Sequence, residues 1–176
     1  MAVLVEGLSV IVRRDVIASR YPGGWEGFVR DVPNRTLCAD GDVARVGFMT
    51  RDDVERFIAR LDRHGFRFIV DGQAIDVAVA DQVTGPTSRC EWFTFGRGDL
   101  EPGQFVAGAG FAGSTEQRLF VPDGWKYEGS LSHKYFVPTG EAIGRLKFLR
   151  TENGVDVFLD LVSGKEVYRG RTSGQD

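Results

Sequence analysis

Two Asp-Gly dipeptides constrain the fold of this chain more than any other feature of its sequence. Asp40-Gly41 and Asp71-Gly72 each lie between two runs of strand-forming residues. An Asp-Gly pair in this setting favours a tight hairpin turn, in which both central residues adopt a positive φ. The sequence therefore predicts two β-hairpins, whose strands cover residues 36–39, 43–49, 66–70 and 74–80.

A helix is predicted between the two hairpins, over residues 50–64. Thr50 is a favourable N-cap, and Asp53 lies three residues later, where an acidic side chain can complete a capping box. His64-Gly65 supplies a C-terminal stop signal. An apolar stripe at helical spacing lies between these two ends, formed by Val54, Phe57, Ile58 and Leu61.

The first half of the chain, residues 1–81, has the predicted order βαββαββ. A strand at residues 8–13 comes first, and a helical stripe that includes Trp25 and Phe28 precedes the first hairpin. The first six elements have the ferredoxin-like βαββαβ order, with one extra strand following. A metal-binding βαβββ repeat fold is the alternative for this half.

The second half of the chain, residues 91–170, contains short strand-like runs and turns. Glu152-Asn153-Gly154 predicts a hairpin turn between two of the last strands. We therefore expect an α+β fold in which residues 1–176 form a single domain, with the second half packed in the same body. The predicted strands cover residues 92–95, 104–107, 118–121, 134–137, 145–150, 155–162 and 166–169.

Composition argues against several classes of protein. Hydrophobic residues make up 42% and charged residues 27% of the chain, which is ordinary globular usage. No apolar run approaches the roughly 20 residues that a membrane-spanning helix needs, and no signal peptide is recognised, so we expect a cytoplasmic protein. The net charge is −3 with basic residues dispersed along the chain, which disfavours nucleic acid as a partner.

Residues 108–113 match the pattern G-x-G-x-x-G of dinucleotide-binding loops. That motif requires a helix directly after the glycines, because the helix N-terminus holds the pyrophosphate. The segment instead continues into a short strand-like run and Pro122, so we interpret the glycines as a turn or a bulged strand. No cofactor is expected.

Metal binding and catalysis have weak support in the sequence. His64 and His133 are the only histidines, and Cys38 and Cys90 are the only cysteines; they form no closely spaced ligand pair. We therefore expect no metal and no disulfide. The catalytic alternative is an enzyme of unknown class in which His133 acts together with Cys90 or Glu91.

The segment 81–92 is the strongest candidate for a binding surface. It follows a predicted buried strand and carries hydroxyl, amide and charged groups before an aromatic residue, and binding residues are frequent on such loops. We expect a non-enzymatic binding or interaction module, of an inhibitor or immunity type, for a protein partner or a small ligand. The candidate binding residues are Asp81, Gln82, Thr84, Arg89, Cys90, Glu91, Trp92 and His133.

Overall fold

A computed structural model of the protein describes residues 1–116, 118–136, 146–161 and 163–170. Over these ranges the chain has a mixed α+β fold with three α-helices, one short 3-10 helix and fifteen strands. The helices are α1 (Arg14–Arg20), α2 (Gly24–Asp31) and α3 (Arg51–Arg63), and the 3-10 helix is Tyr127–Gly129. The strands are β1 (Ala2–Val5), β2 (Leu8–Arg13), β3 (Cys38–Ala39), β4 (Val43–Phe48), β5 (Ile69–Val70), β6 (Gln73–Ala74), β7 (Val77–Asp81), β8 (Gly85–Pro86), β9 (Phe93–Asp99), β10 (Phe105–Phe111), β11 (Leu119–Phe120), β12 (Tyr135–Phe136), β13 (Leu146–Glu152), β14 (Val155–Asp160) and β15 (Glu166–Gly170).

The first sheet has the strand order β3-β4-β2-β7-β8, and all of its pairings are antiparallel. Strand β2 lies at its centre and begins where Leu8 pairs with Phe48 on one side and with Asp81 on the other. The side chains of β2 alternate between two faces, because successive residues of a strand point in opposite directions. Val10 packs in the cluster beneath the helices, and Ile11 packs in a second cluster on the opposite face.

Helix α3 forms as the sequence predicts. The Thr50 hydroxyl accepts a hydrogen bond from the backbone N–H of Asp53 at 3.1 Å and donates one to its carboxylate at 2.7 Å. These bonds satisfy a helix-end donor that has no partner inside the helix. The stripe packs on the first sheet, with Ile58 half-buried and Val54, Phe57 and Leu61 buried.

Only the second Asp-Gly turn has the predicted positive φ at both central residues, because neither Asp40 nor Gly41 has one. At the first turn the Asp40 carboxylate accepts the backbone N–H groups of Asp42 and Val43, both at 2.8 Å. At the second turn Asp71 has the positive φ of 50° that the prediction requires. The second hairpin is shorter than predicted and joins only β5 to β6, while β7 pairs with β2 in the first sheet.

A second sheet has the order β11-β1-β10-β9 and joins the beginning of the chain to its second half. Strand β1, which the predicted element order lacks, pairs antiparallel with β10. The glycine-rich segment is part of β10 and a following turn, as expected, and residues 112–116 and 118–126 contain no helix. A Cβ at Gly110 would lie 2.5 Å from the carbonyl oxygen of Met1, so a glycine is needed where these two backbones meet.

The C-terminal sheet has the order β12-β15-β14-β13. Its β13–β14 hairpin turns at Asn153, which has a φ of 49°, as the Asn-Gly pair predicts. Val157 and Val167 are fully buried within it. Residues 137, 145 and 162, which the sequence analysis assigns to strands, lie outside the described residues.

The first sheet separates two apolar clusters, which gives this part of the protein three layers. The helices cover one face of the sheet, where their side chains meet Val10 and Val46. The second sheet covers the other face, where Leu4 and Ala109 pack with Ile11. This arrangement buries β2 and β4 on both sides.

Leu61→Ala should destabilise the protein by about 2 to 5 kcal/mol, because Leu61 is fully buried and its truncation leaves a cavity. The matched control is Asp62→Ala at the next, exposed position of α3, which should cost less than about 0.5 kcal/mol. Urea unfolding followed by circular dichroism measures both changes. Equal losses at the two positions would show that α3 buries a different face.

Candidate functional site

A cavity of about 560 Å³ lies where segment 81–92 approaches the residues before the C-terminal sheet. We call it the cationic cavity. This volume suits a small organic ligand. The cavity is lined by Val5, Gln82, Val83, Arg97, Phe105, Val106, Ala107, Tyr127, Ser132, His133 and Lys134.

The wall of the cationic cavity carries positively charged side chains and, among its described residues, no carboxylate. Lys134 is already paired, because its Nζ lies 3.0 Å from Glu152 Oε1 and 4.4 Å from the centre of the Tyr168 ring. Arg97 is exposed and donates only to the backbone carbonyls of Gln82, at 3.1 Å, and Val83. Its guanidinium also lies 5.2 Å from the centre of the Phe95 ring, and within the described residues it forms no salt bridge with a carboxylate.

Aromatic side chains form another part of the same wall. Phe105 is 50% exposed, although large apolar side chains are usually buried. Tyr127 lies deeper, and its ring centre is 5.2 Å from that of His133, which is itself exposed. The cavity thus combines an unbalanced guanidinium with exposed ring surface.

Gln82 is a structural residue of this site. Its Oε1 accepts the backbone N–H of Gly7 at 2.7 Å, and its Nε2 donates to the carbonyls of Leu131 at 2.6 Å and Lys134 at 3.0 Å. A further bond joins the Gln82 N–H to the Gly7 carbonyl at 2.9 Å. Gln82 therefore ties the β1–β2 connection to segment 131–134 and supports the cavity floor.

The neighbouring candidates Asp81 and Thr84 shape the turn that follows β7. Asp81 is buried, and its Oδ1 accepts the backbone N–H groups of Val83 at 2.6 Å and Thr84 at 3.0 Å. The Thr84 side chain is exposed. The chain then returns as the short strand β8 at the edge of the first sheet.

The last four candidates of segment 81–92 do not line the cationic cavity. Arg89 and Glu91 form an exposed ion pair at 3.3 Å, which contributes little stability. The Trp92 indole donates to the Ala74 carbonyl at 3.0 Å and packs beside the second cluster. Cys90 is half-buried near them. The structure thus brings Gln82 and His133 to one cavity and leaves Asp81, Thr84 and residues 89–92 outside its lining.

Arg97 and Phe105 are the lining residues that the sequence analysis missed. They lie on β9 and β10, whose register pairs Arg97 with Ala107 and Phe105 with Asp99. One signal was available, because Arg97 lies between two glycines in a strand, where its neighbours have no side chains to cover it.

The two thiols lie in environments that disfavour their ionisation. Burial raises the pKa of Cys90, against the smaller opposing effect of the backbone N–H groups of Trp92 and Phe93. Burial also raises the pKa of Cys38, although the nearby Arg45 guanidinium opposes this. The nucleophilic form of a cysteine is the thiolate, so both thiols have low intrinsic reactivity.

Comparisons with known proteins give no relative: no protein-family model, curated protein or solved structure matches this chain. None of the helices in the described ranges is long and apolar enough to cross a membrane. The same residues include no group of three or more His, Cys, Asp and Glu side chains placed to hold a metal ion.

Gln82→Leu should destabilise the protein by at least about 2 kcal/mol, because each buried polar group left without a partner costs about 1 to 3 kcal/mol. The substitution keeps a similar volume but removes the bonds to Gly7, Leu131 and Lys134. Thr84→Ala is the control on the same segment and should change stability little. Chemical denaturation compares them, and a wild-type midpoint for Gln82→Leu would contradict the structural role.

Cys38 and Cys90 should react with iodoacetamide at pH 7.5 several-fold more slowly in the folded protein than in urea. The reason is that burial raises the pKa of both thiols, which lowers their thiolate fraction, and also limits access of the reagent. Mass spectrometry of timed samples measures the reaction at each site. Faster alkylation of folded Cys90 than of the unfolded chain would instead indicate an activated nucleophile.

Proposed function

We propose that this protein is a non-enzymatic binding module that holds a small organic anion in the cationic cavity. The observation that carries the proposal is Arg97, an exposed guanidinium on the cavity wall with no carboxylate partner among the described residues. A guanidinium presents several N–H donors in a plane and suits the paired oxygens of a carboxylate or phosphate.

The charge pattern favours an anion over a neutral ligand. Lys134 is neutralised locally by Glu152, so Arg97 supplies the main unbalanced charge at the wall. Its bonds to the Gln82 and Val83 carbonyls hold the guanidinium in place before any ligand arrives. Such preorganisation lowers the entropy cost of binding.

The exposed rings favour a ligand that also has an apolar part. Phe105 lines the cavity and is 50% exposed, and Tyr127 contributes a second ring. Burying apolar surface contributes about 25 cal/mol per Å², so even a single aromatic ring on the ligand adds affinity. An aromatic carboxylate or phosphate ester combines both requirements.

The proposal also includes the domain organisation, the location and the fold that the sequence predicts. We infer a single-domain cytoplasmic protein whose first sheet and helices make a ferredoxin-like unit with an added strand. The strand order β3-β4-β2-β7 supports this topology, since it places β2 between the two strands that it would contact in that fold. A protein partner that inserts an acidic side chain into the cavity is the alternative ligand.

The enzyme alternative has less support than the binding module. His133 lines the cationic cavity, whereas Cys90 and Glu91 do not, so these groups do not share that cavity. Burial also raises the pKa of Cys90, the reverse of what an activated nucleophile needs.

Isothermal titration calorimetry with phenyl phosphate, phenylacetate and neutral benzyl alcohol tests the proposed function. We expect the two anions to bind and benzyl alcohol to bind at least about tenfold more weakly. Arg97→Gln should weaken anion binding by about tenfold or more, because charge-assisted hydrogen bonds contribute about 1.5 to 3 kcal/mol. Phe105→Ala should weaken both aromatic anions but leave the weaker binding of inorganic phosphate unchanged.

Arg63→Gln is the matched control, because it removes the same charge from an exposed position at the end of α3. It should bind both anions like the wild type. Melting temperatures of all variants establish that they are folded. Equal anion affinity of the wild type and Arg97→Gln, or no anion binding at all, would reject the cationic cavity as the site.

A further inference from the structure

A second cavity of about 560 Å³ opens on the other side of the segment that carries Trp125 and Tyr127. Trp125 lines this cavity and Tyr127 lines the cationic cavity, with their ring centres 6.4 Å apart. We call it the mixed-charge cavity, because its wall includes the basic residues Arg35 and Arg45 and the acidic residues Glu6, Asp53 and Asp123.

Arg45 is a buried cation at the inner wall of this cavity. It is 2% exposed, and its partners are neutral: the Ser9 hydroxyl at 2.8 Å, the Thr36 carbonyl at 3.1 Å and the Glu6 carbonyl at 2.7 Å. Burial lowers its pKa, with partial compensation from the Cys38 thiol and the Glu6 charge. A guanidinium has five N–H donors, so these three oxygens do not use its full capacity.

Gly47 in strand β4 leaves space for this guanidinium, because it has no side chain. A Cβ at Gly47 would lie 2.4 Å from Arg45 Nη2, a distance that no side chain there can accommodate without displacing the arginine. The Gly47 carbonyl accepts a hydrogen bond from the Asn34 side-chain amide at 2.8 Å. The Gly47 N–H donates one to the Thr36 hydroxyl at 2.6 Å. Arg45 is therefore held rigidly at the cavity wall.

Arg35 adds a second positive charge at the mouth of the cavity. It is exposed and has no ion-pair partner in the part of the chain that the structure describes. Arg35 and Arg45 thus give the cavity lining two guanidinium groups, of which Arg35 is the exposed one.

Glu6 is one of the three carboxylates that supply the opposite charge. Its Oε1 accepts hydrogen bonds from the Trp125 indole at 3.2 Å and from the Ser132 hydroxyl. Over the described residues its Oε2 accepts no hydrogen bond and its carboxylate has no salt bridge. A carboxylate has about four acceptor sites, so Glu6 can also receive an ammonium group.

Apolar side chains form another part of the wall, which also contains Asp123 and Asp53, the latter already bound by Thr50 and Arg56. Phe48, Met49, Trp125 and Leu131 line the cavity, and the Trp125 face can also attract a cation through its ring electrons. A ligand that uses the arginines, Glu6 and the apolar side chains together carries an anionic group, a cationic group and an apolar group. Binding a charged group of the ligand in this cavity would be unfavourable if the wall did not provide the opposite charge.

We infer that the mixed-charge cavity binds a zwitterionic α-amino acid with a large apolar side chain. The α-carboxylate faces Arg35 and Arg45, the α-ammonium faces Glu6, and the side chain contacts Phe48 and Trp125. This site is separate from the cationic cavity and does not depend on the function proposed there.

Calorimetry with L-phenylalanine, 3-phenylpropionate and phenethylamine tests the inference on the full chain. The second compound lacks the ammonium and the third lacks the carboxylate, so each should bind at least about tenfold more weakly than L-phenylalanine. Glu6→Gln retains an oxygen for Trp125 and Ser132 but removes the charge, and it should weaken L-phenylalanine binding about tenfold while leaving 3-phenylpropionate unaffected. Arg35→Gln should weaken L-phenylalanine and 3-phenylpropionate alike.

Glu101→Gln is the matched control for lost negative charge, because Glu101 is exposed and lies away from the cavity lining. Its binding should equal that of the wild type, and thermal melting confirms that each variant is folded. The inference is overturned if L-phenylalanine and L-leucine give no heat at about 10 mM, which detects even millimolar affinity. It is also overturned if either truncated compound binds as tightly as L-phenylalanine, or if Glu6→Gln binds L-phenylalanine normally.

Discussion

The burial of strand β2 on both faces is the constraint on which the rest of this structure depends. Every residue from Leu8 to Val12 is buried, because helices cover one face of the first sheet and the second sheet covers the other. Polar groups in such a strand need partners, since an unpaired buried group is costly. Ser9 meets this need by accepting the Arg45 Nε–H, and the charge of Arg45 is consequently held between the two sheets.

The passage of the chain between the two sheets produces both cavities. Residues 6 and 7 connect β1 in the second sheet to β2 in the first, and their groups bind Gln82, Trp125 and Ser132. The segment containing Trp125 and Ser132 is thereby held over the sheet junction, with one cavity on each side. The cavities differ in charge because Glu6, Asp53 and Asp123 line one of them together with two arginines, whereas the described lining of the other contains Arg97 and Lys134 and no carboxylate.

Part of the candidate site follows from local sequence signals. Gln82 and His133 were recognised as polar residues beside strands, and both line the cationic cavity, although Gln82 uses its amide for structural bonds. For Arg97 the only local signal was its two flanking glycines, and Phe105 had none. The place of both residues in the wall depends on the β9–β10 register and on the position of segment 131–134. Arg89 and Glu91 have the right chemistry for binding, but the chain carries them away from that wall. Whether a residue lines a cavity depends on contacts between segments that are far apart in the sequence, and not on the residue type alone.

The sequence by itself determined the local elements of this protein: the Thr50 cap, the apolar stripe of α3, and the tight turns at Asp71 and Asn153. Each of these depends on interactions within a few residues, where hydrogen-bond geometry and φ preferences leave few alternatives. Only the tertiary structure decided that β1 joins the second sheet and that Arg45 is buried with neutral partners. A four-residue apolar strand can pair with any compatible edge, and burial of an arginine depends on acceptors that the fold brings together from residues 6, 9 and 36. Strand pairing and the burial of charge depend on residues that are distant in the sequence. These interactions contribute to the stability of the protein only when all of the layers are assembled.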